Sequence, residues 1–170
     1  MSGTPIETKI RDEIDDLVST QMVPANQYNF TMGSADFEVT VTADEEKNED
    51  QGDLEKFEGL GIPENRRVMK AGLYRNLLPF KILVEFQNPP TDPDPDIEHA
   101  ARLEYAAKAA DDWKKAFGNH PQLSDSGAFE SQYTGYTKLY DTGSPPKING
   151  IEFRVAIRYR QRRKEPELAG

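Results

Sequence analysis

The sequence predicts an α+β fold: a mainly antiparallel sheet with one long helix, residues 96–117, and an N-terminal helix packed on one face. Three observations support this prediction. A single long helix with an apolar side lies between two segments in which apolar and polar residues alternate. The chain has no internal repeat, and its 170 residues suffice for one domain with its own core. We therefore interpret residues 1–170 as a single domain.

The N-terminal part of the chain predicts a helix followed by a β-hairpin. Between residues 6 and 22, apolar residues recur every three or four positions, and Thr4 before a proline is the candidate cap. Apolar and polar residues alternate at 28–32 and again at 37–41, with Gly33 between the two runs. This pattern predicts two strands joined by a tight turn.

The acidic segment, residues 44–58, follows with the sequence DEEKNEDQGDLEKFE. It belongs to a strongly acidic part of the chain, because residues 1–65 hold 16 acids and 4 bases, whereas residues 66–170 hold 14 acids and 17 bases. Such a composition predicts a solvated loop or projecting arm, which in an assembly could become ordered against a neighbouring copy. For residues 59–75, a strand extension and a short helix both remain open.

The strands on either side of the long helix are predicted from strict alternation. Upstream, Phe80, Ile82 and Val84 share one face of the strand in PFKILVEFQN, and the proline-rich NPPTDPDPD that follows predicts a stiff linker. Downstream, a strand rich in tyrosine and threonine is followed by a loop, a last strand with arginines on its polar face, and a polar tail. These segments cover residues 129–140, 141–150, 151–160 and 161–170.

The long helix is predicted from its ends and from its apolar side. Asp96 is the candidate N-cap, and Gly118 with Asn119 ends the helix before Pro121. The residues predicted to face the sheet are Leu103, Ala106, Ala110, Trp113 and Phe117. The residues predicted to face water are Glu104, Lys108, Asp111, Asp112 and Lys115. His99 falls on the apolar side, where a hydrogen-bonded and partly buried histidine is expected.

No pattern in the sequence predicts a catalytic, cofactor or metal site, and we expect the protein not to be an enzyme. Asp92, Asp94 and Asp96 have the spacing that begins a calcium loop, but the glycine and the bidentate acid that such a loop requires do not follow. Gly59 and Gly61 lack the third glycine of a dinucleotide fingerprint. The two histidines have no nucleophile at a recognisable spacing, and the chain contains no cysteine.

The overall composition narrows the classes of partner. A net charge of −9 argues against a sequence-tolerant DNA-binding protein, whose affinity comes from clustered lysine and arginine. No apolar run approaches the roughly 20 residues that cross a bilayer, so a membrane partner is not expected. The absence of cysteine favours a cytosolic history.

The arginine ladder is a set of basic residues on the polar face of the last strand and in the tail behind it. Its members are Arg154, Arg158, Arg160, Arg162 and Arg163. One interpretation is the wet face of an edge or partly exposed strand, which charge protects from unwanted pairing. Another is an interface with the acidic segment of a neighbouring copy in a head-to-tail ring. The acidic candidates for that interface are Glu45, Glu46, Glu49 and Asp50. A nucleic-acid surface is a third interpretation.

The order of these elements resembles that of the tail terminator proteins of long-tailed bacteriophages and the related head-tail joining, or neck, proteins. The resemblance rests on the N-terminal helix, on PFKILVEFQN, on the helix DIEHAARLEYAAKAADDWKKAF, on the turn HPQLSDSG, and on the closing segments FESQYTGYTKLYD and INGIEFRVAIRYR. The acidic segment and the residues that follow it, up to residue 75, are longer than the family pattern requires.

The resemblance implies a structural virion protein of the tail or neck, assembled in the host cytoplasm. It implies a homo-oligomeric ring, commonly of six subunits, that ends polymerisation of the tail tube and joins the tail to the head connector. The expected partners are therefore further copies of the chain, the tail tube protein, the head-completion protein, and genomic DNA that passes through the lumen. Two alternatives remain: another tail or neck component, such as a tube or tail-completion subunit, and a small α+β ligand-binding or regulatory domain.

Overall fold

The computed structural model describes residues 3–48, 73–120 and 128–162. Over these ranges the chain forms a five-stranded antiparallel sheet with helices against one face, which confirms the predicted α+β fold. The elements are α1 (Ile6–Asp16), a π-helical turn (Leu17–Gln21), a 3-10 turn (Pro24–Asn26), β1 (Phe37–Ala43), β2 (Lys47–Asn48), β3 (Leu73–Phe86), α2 (Pro95–Asn119), β4 (Ala128–Tyr140) and β5 (Ile148–Arg162). Within those three ranges no helix is long and apolar enough to span a membrane.

The sheet has the strand order β1-β3-β5-β4, and β2 pairs with β3 beyond the end of β1. The two interior strands, β3 and β5, run antiparallel with Phe80 opposite Val155 and Ile82 opposite Phe153. The apolar residues of both strands therefore share one face, and these four side chains are at most 1% exposed. Complete burial of such side chains contributes about 1.5–3 kcal/mol each, so this face is the main source of stability.

β3 is longer than the alternation in the sequence indicated. The pattern predicted a strand from Phe80 onwards, whereas β3 begins at Leu73. Residues 73–75 of the segment left open therefore belong to a strand, and residues 59–72 lie outside the described residues. Pairing explains the extension, because Arg75 lies opposite Arg160 and the ladder with β5 continues beyond that pair.

Pro79 lies inside an interior strand, where a missing backbone N–H is normally costly. In this sheet β1 ends at Ala43, opposite Phe80, and the next residue donates its N–H to the Pro79 carbonyl (Asp44 N to Pro79 O, 2.8 Å). Pairing resumes where Lys47 lies opposite Leu77, so Pro79 lies at the gap between β1 and β2.

The acidic segment was predicted to be a loop or arm throughout, but its Lys47–Asn48 forms the short strand β2. Residues 49–58 lie outside the described residues.

Gly150 marks a close approach between the two interior strands. A Cβ atom at this position would lie 2.6 Å from the Val84 carbonyl oxygen and 3.4 Å from Glu85 Cα. Because both atoms belong to the backbone of β3, neither can rotate away. Gly150→Ala is therefore expected to lower the free energy of unfolding by about 2 kcal/mol, as for other overpacked sites, measured by urea denaturation.

Gly118 provides the matched control for that substitution. It lies in the last turn of α2, and a Cβ atom there would meet nothing within 4 Å. Gly118→Ala is expected to leave stability unchanged or to raise it by up to about 1 kcal/mol, because alanine is the better helix former. Equal losses in the two variants would contradict the close-approach explanation.

In the N-terminal part the predicted hairpin and the predicted helix cap are wrong, whereas the predicted helix is confirmed. The predicted hairpin does not form, because residues 28–32 contain no strand and β1 pairs with β3 instead, with Phe37 opposite Phe86. The predicted helix over residues 6–22 is α1 followed by a π-helical turn, and the residue that caps α1 is Pro5, with no side-chain hydrogen bond, rather than Thr4. The apolar side was predicted correctly: Ile6, Ile10 and Ile14 are buried.

The long helix α2 begins one residue earlier than predicted and ends two residues later, so Gly118 and Asn119 lie within it rather than ending it. It buries most of the expected side. Its N-cap is Asp94, whose side chain accepts a hydrogen bond from Asp96 N (2.9 Å), whereas the sequence suggested Asp96 itself. Four of the five residues predicted to face the sheet are buried, and the fifth, Leu103, is half-buried against the core. His99 was predicted on the apolar side but is exposed. The turn of α2 that holds it instead buries Glu98 and Arg102.

Candidate subunit interface

The sheet has a second face, opposite the helices, which we call the open face. On it lie the side chains that alternate with the buried ones. On β5 they are Glu152, Arg154, Ala156, Arg158 and Arg160, and on β3 they are Arg75, Leu77, Pro79, Lys81, Leu83 and Glu85. Every one of these side chains is exposed or half-buried, and none is fully buried. The open face is therefore a mixed surface of charged and small apolar groups.

Arg154, Arg158 and Arg160 of the arginine ladder lie on this open face, and Arg154 and Arg158 have partners within the chain. Arg154 Nη1 donates to Thr137 Oγ1 (2.8 Å) and to Glu152 Oε2 (3.0 Å). Arg158 Nη1 donates to Glu130 Oε2 (3.3 Å) and to Gln132 (3.3 Å). These contacts run along β5 and across to β4.

The position of β5 separates the interpretations offered for the ladder. Because β5 lies between β3 and β4, its charges do not protect an edge, and the edge-strand interpretation is wrong. The interpretation of the ladder as the polar face of a partly exposed strand remains open, as does the interface interpretation. Arg160 is exposed and continues the row of the ladder. The backbone of Arg162 belongs to β5, and Arg163 lies outside the described residues.

The acidic candidates lie at the other side of the sheet, between β1 and β2. Glu45 and Glu46 are exposed there, while Glu49 and Asp50 lie outside the described residues. Loss of hydration, and then the negative charge of Glu7 on α1, raise the pKa of Glu46. The neighbouring Asp44 forms a loose, exposed ion pair with Lys81 (3.7 Å). These acidic side chains thus lie next to the β1 edge of the sheet, whereas Arg154, Arg158 and Arg160 lie on β5, next to β4.

A buried ionic cluster, which the sequence did not reveal, connects the start of α2 to the β4–β5 loop. Glu98 accepts from Arg102 (Oε1, 3.3 Å) and from Lys147 (Oε2, 3.0 Å). Arg102 also donates to the carbonyls of Pro90 (3.2 Å) and Ile148 (2.8 Å). The Glu98–Arg102 spacing of four residues was visible in the sequence, but its burial and the distant Lys147 were not.

A cleft of about 280 Å³ lies above this cluster, with Pro95, His99, Pro145 and Pro146 in its walls. Arg102 also lines the cleft, and each of its three guanidinium nitrogens makes one of the contacts just described. The cluster is therefore a structural connection between α2 and the loop, and His99 contributes only to the rim.

Acid is expected to weaken this connection. The hydrogen bond from Lys147, followed by the charges of Lys147 and Arg102, lowers the pKa of Glu98 from its ordinary value of 4.5. The backbone amides of Lys147 and Gly143 lower the pKa of Asp141 from 3.8. Because both carboxyl groups have depressed pKa values in the folded protein, their contribution to stability is complete above these ordinary values and is lost as the pH falls below them.

The corresponding variant is Glu98→Gln, compared with Glu104→Gln, whose carboxylate forms an exposed pair with Lys108. Glu98→Gln is expected to lower Tm at neutral pH and to make the loss of Tm on acidification shallower than in the wild type. Glu104→Gln is expected to leave both quantities nearly unchanged. Thermal unfolding over a pH series measures this, and parallel profiles for wild type and Glu98→Gln would contradict it.

Asp112 is the second buried acid that the structure reveals, and its predicted position on the wet side of α2 is wrong. It is 1% exposed and accepts hydrogen bonds from the backbone amides of Asn29 (2.8 Å) and Phe30 (3.0 Å). Burial raises the pKa of Asp112, and the two amides partly offset that effect. Asp112 therefore attaches the segment before β1 to α2.

The three aspartates that begin like a calcium loop form the start of α2. Asp92 accepts from Asp94 N (2.8 Å) and Asp94 accepts from Asp96 N (2.9 Å), so both carboxylates satisfy backbone amides. In the parts of the chain that the structure describes, no group of three or more His, Cys, Asp or Glu residues is placed to hold a metal ion. Gly59 and Gly61 lie outside those parts.

We compared the chain with protein-family models, with curated proteins and with solved structures, and no significant match was found in any of the three. Its fold and candidate interface define an α+β protein with one helix-covered and one open sheet face.

Proposed function

We propose that this chain is the subunit of a homo-oligomeric ring in the neck of a long-tailed bacteriophage, where it ends the tail tube and joins the tail to the head connector. The observation that carries the proposal is the uneven distribution of charge around the sheet: Asp44, Glu45 and Glu46 are exposed next to the end of β1, whereas Arg154, Arg158 and Arg160 lie on β5, next to the edge strand β4. Opposite charges at two different places on one chain suit a heterologous, head-to-tail contact, and such contacts form a ring when the rotation between copies closes. The resemblance in element order supports the particular class.

The contacts within the chain do not prevent this use of the arginine ladder. The Arg158–Glu130 pair is 3.3 Å long, and its two side chains are 34% and 48% exposed. Exposed pairs of this kind contribute only about 0–1 kcal/mol. Exchange of Glu130 for a carboxylate of a neighbouring copy therefore costs little.

Native mass spectrometry and negative-stain electron microscopy of the purified chain test the assembly. Closed rings, commonly of six subunits, are the expected result. A monomer or dimer that carries a bound small molecule would instead support a ligand-binding or regulatory domain. The virion role is tested by deleting the gene from a phage that encodes it: tails of uncontrolled length and unjoined heads are expected, and normal particles would contradict the proposal.

The arginine ladder provides a variant for the same measurement. Replacing Arg158, Arg160, Arg162 and Arg163 together with glutamine is expected to weaken subunit association at least about tenfold at low salt, and by less as salt screens the wild-type contact. The control removes four positive charges from the helix side, at Lys9, Arg11, Lys108 and Lys114. Association that is unchanged in the ladder variant, or weakened equally in both variants, would contradict charge pairing through the ladder.

A further inference from the structure

Among the described residues, β1 and β4 form the two edges of the sheet, and their directions make them complementary. Along the order β1-β3-β5-β4 every neighbouring pair is antiparallel, so β1 and β4 run in opposite directions. If the β1 edge of a second copy is placed beside the β4 edge in the same orientation, the new pair is again antiparallel. The alternation then continues from copy to copy without inversion of a subunit.

The backbone of β1 presents hydrogen-bonding groups to that edge. Gln87 N donates to Asp36 O (2.9 Å) and Asp44 N donates to Pro79 O (2.8 Å), which places both ends of the β1–β3 register at hydrogen-bonded pairs. Because hydrogen-bonded and non-bonded pairs alternate along an antiparallel ladder, Val39 and Val41 direct their N–H and C=O groups away from β3. No described residue pairs with this part of the edge.

The outer edge of β4 is long. Over the 13 residues of β4 there is no proline, and the charged residues are Glu130 and Lys138. Edge strands normally avoid pairing by being short, charged, bulged, interrupted by proline or covered. The register of β4 with β5 shifts before Gly135 and after Leu139, and between these two residues it is regular. Within the described ranges β5 is the strand that pairs with β4. A strand of this kind is suited to accept another strand.

The charges at the two edges also match. Gly135 in β4 has a φ of 139°, and Arg154 Nη2 lies 3.3 Å from the position that a Cβ atom at Gly135 would occupy. The guanidinium group therefore lies over the edge strand, at a position where the edge residue has no side chain. In the sheet, Thr42, Lys81, Arg154 and Gly135 lie in one row. A second copy that continued this row would place its Thr42 beside Gly135, with its Asp44 close to Arg154.

We infer that β1 of one copy pairs antiparallel with β4 of the next, so that the sheet continues from subunit to subunit around the ring. This inference rests on the proposed ring and identifies the strands through which its neighbouring subunits bind each other. A two-fold pairing of β4 with β4 is the competing arrangement. It would bring the guanidinium groups over the two Gly135 residues towards each other and would leave both β1 edges unpaired. The head-to-tail arrangement gives the backbone groups of both edge strands a partner and places Asp44 of one copy close to Arg154 of the next.

Disulfide crosslinking tests the contact, and the chain has no cysteine of its own. Thr40 and Thr137 are exposed on the open face and lie in the row Thr40, Leu83, Glu152, Thr137. Within one copy they are three strand spacings apart, about 14 Å, which exceeds the roughly 7 Å limit for a disulfide. Any bridge in the double variant Thr40→Cys/Thr137→Cys therefore joins different copies.

The expected result is a ladder of covalent dimers, trimers and larger species on non-reducing gels, ending at the size of the ring. The variants Thr40→Cys/Gln132→Cys and Thr40→Cys/Leu139→Cys test whether β1 pairs with β4 in a shifted register. Covalent dimers from Thr137→Cys alone would establish two-fold β4 pairing and overturn the inference. Rings in native mass spectrometry without crosslinks at any of these positions would also overturn it, while leaving the proposed ring intact. The absence of any oligomer would overturn both.

Val41→Pro provides an independent test. Proline at Val41 removes an N–H that points away from β3, so the inner ladder keeps its hydrogen bonds. This variant is expected to keep its circular dichroism spectrum and to lose the rings and the crosslinks. Thr42→Pro is the comparison. The backbone N–H of Thr42 points towards β3, so its removal is expected to break the β1–β3 ladder and to destabilise the monomer. Rings that persist in folded Val41→Pro would overturn the inference, and if Val41→Pro does not fold, the cysteine pairs decide alone.

Discussion

Replacement of Trp113 with alanine is expected to lower the free energy of unfolding by about 3–5 kcal/mol, the range for large aromatic residues in a core. Trp113 is 0% exposed, and its ring lies 6.3 Å from Phe117 and 6.2 Å from Phe153. These contacts join α2 to β5. Removal of the indole would leave a cavity between helix and sheet that the antiparallel ladder prevents from closing. Urea denaturation followed by circular dichroism measures the loss.

Trp113→Phe is the control for this prediction. Trp113 Nε1 is buried without a hydrogen-bond partner, so phenylalanine removes no hydrogen bond and keeps an aromatic ring in the stack. Its cost is expected to be below about 1.5 kcal/mol, as for substitutions that keep most of the volume. If the two variants lost the same stability, the loss would not depend on the volume removed, and the packing explanation would be contradicted.

The interior of the sheet could be predicted from the sequence because it depends on periodicity. From Leu78 to Phe86 in β3 and from Ile151 to Tyr159 in β5, every second residue is large and apolar, and a period of two allows one arrangement in which all of them are buried. The apolar side of α2 followed in the same way from steps of three and four residues. Both patterns are local, and tertiary contacts reinforce them.

The errors arose where a distant partner decides the local structure. The helical periodicity places Asp112 on the solvent-facing side of α2. The backbone amides that bind its carboxylate belong to Asn29 and Phe30, more than 80 positions away in the sequence. The alternation at 28–32 resembles a strand, yet β1 found its partner in β3 instead. Neither contact can be predicted from one sequence, because nothing in the sequence indicates which distant residues pair.

The candidate interface was predicted in part for the same reason. Alternation placed Arg154, Arg158 and Arg160 on one face, and the structure has them there. Their partners Glu130 and Thr137 belong to β4 and depend on the β4–β5 register, which contains a shift between Tyr133 and Gly135. Bulges of this kind follow from local backbone geometry that composition does not encode.

Asp112→Ala is expected to lower the free energy of unfolding by about 3 kcal/mol, because two charge-assisted hydrogen bonds are lost together and each contributes about 1.5–3 kcal/mol when buried. The amides of Asn29 and Phe30 are only partly buried, so water recovers some of the loss. Asp112→Asn is the matched control. It keeps one oxygen that can accept from either amide, and it is expected to lose about half as much.

The pH dependence distinguishes Asp112 from the acids near Lys147. Burial raises the pKa of Asp112 above its ordinary value of 3.8, so the folded protein holds this proton more tightly than the unfolded chain. The advantage of the wild type over Asp112→Asn should therefore decrease as the pH rises through that value, whereas the advantage over Glu98→Gln should increase. Urea denaturation at a series of pH values measures both trends. If the two trends had the same sign, the hydrogen bonds from the amides, rather than burial, would determine the protonation of Asp112.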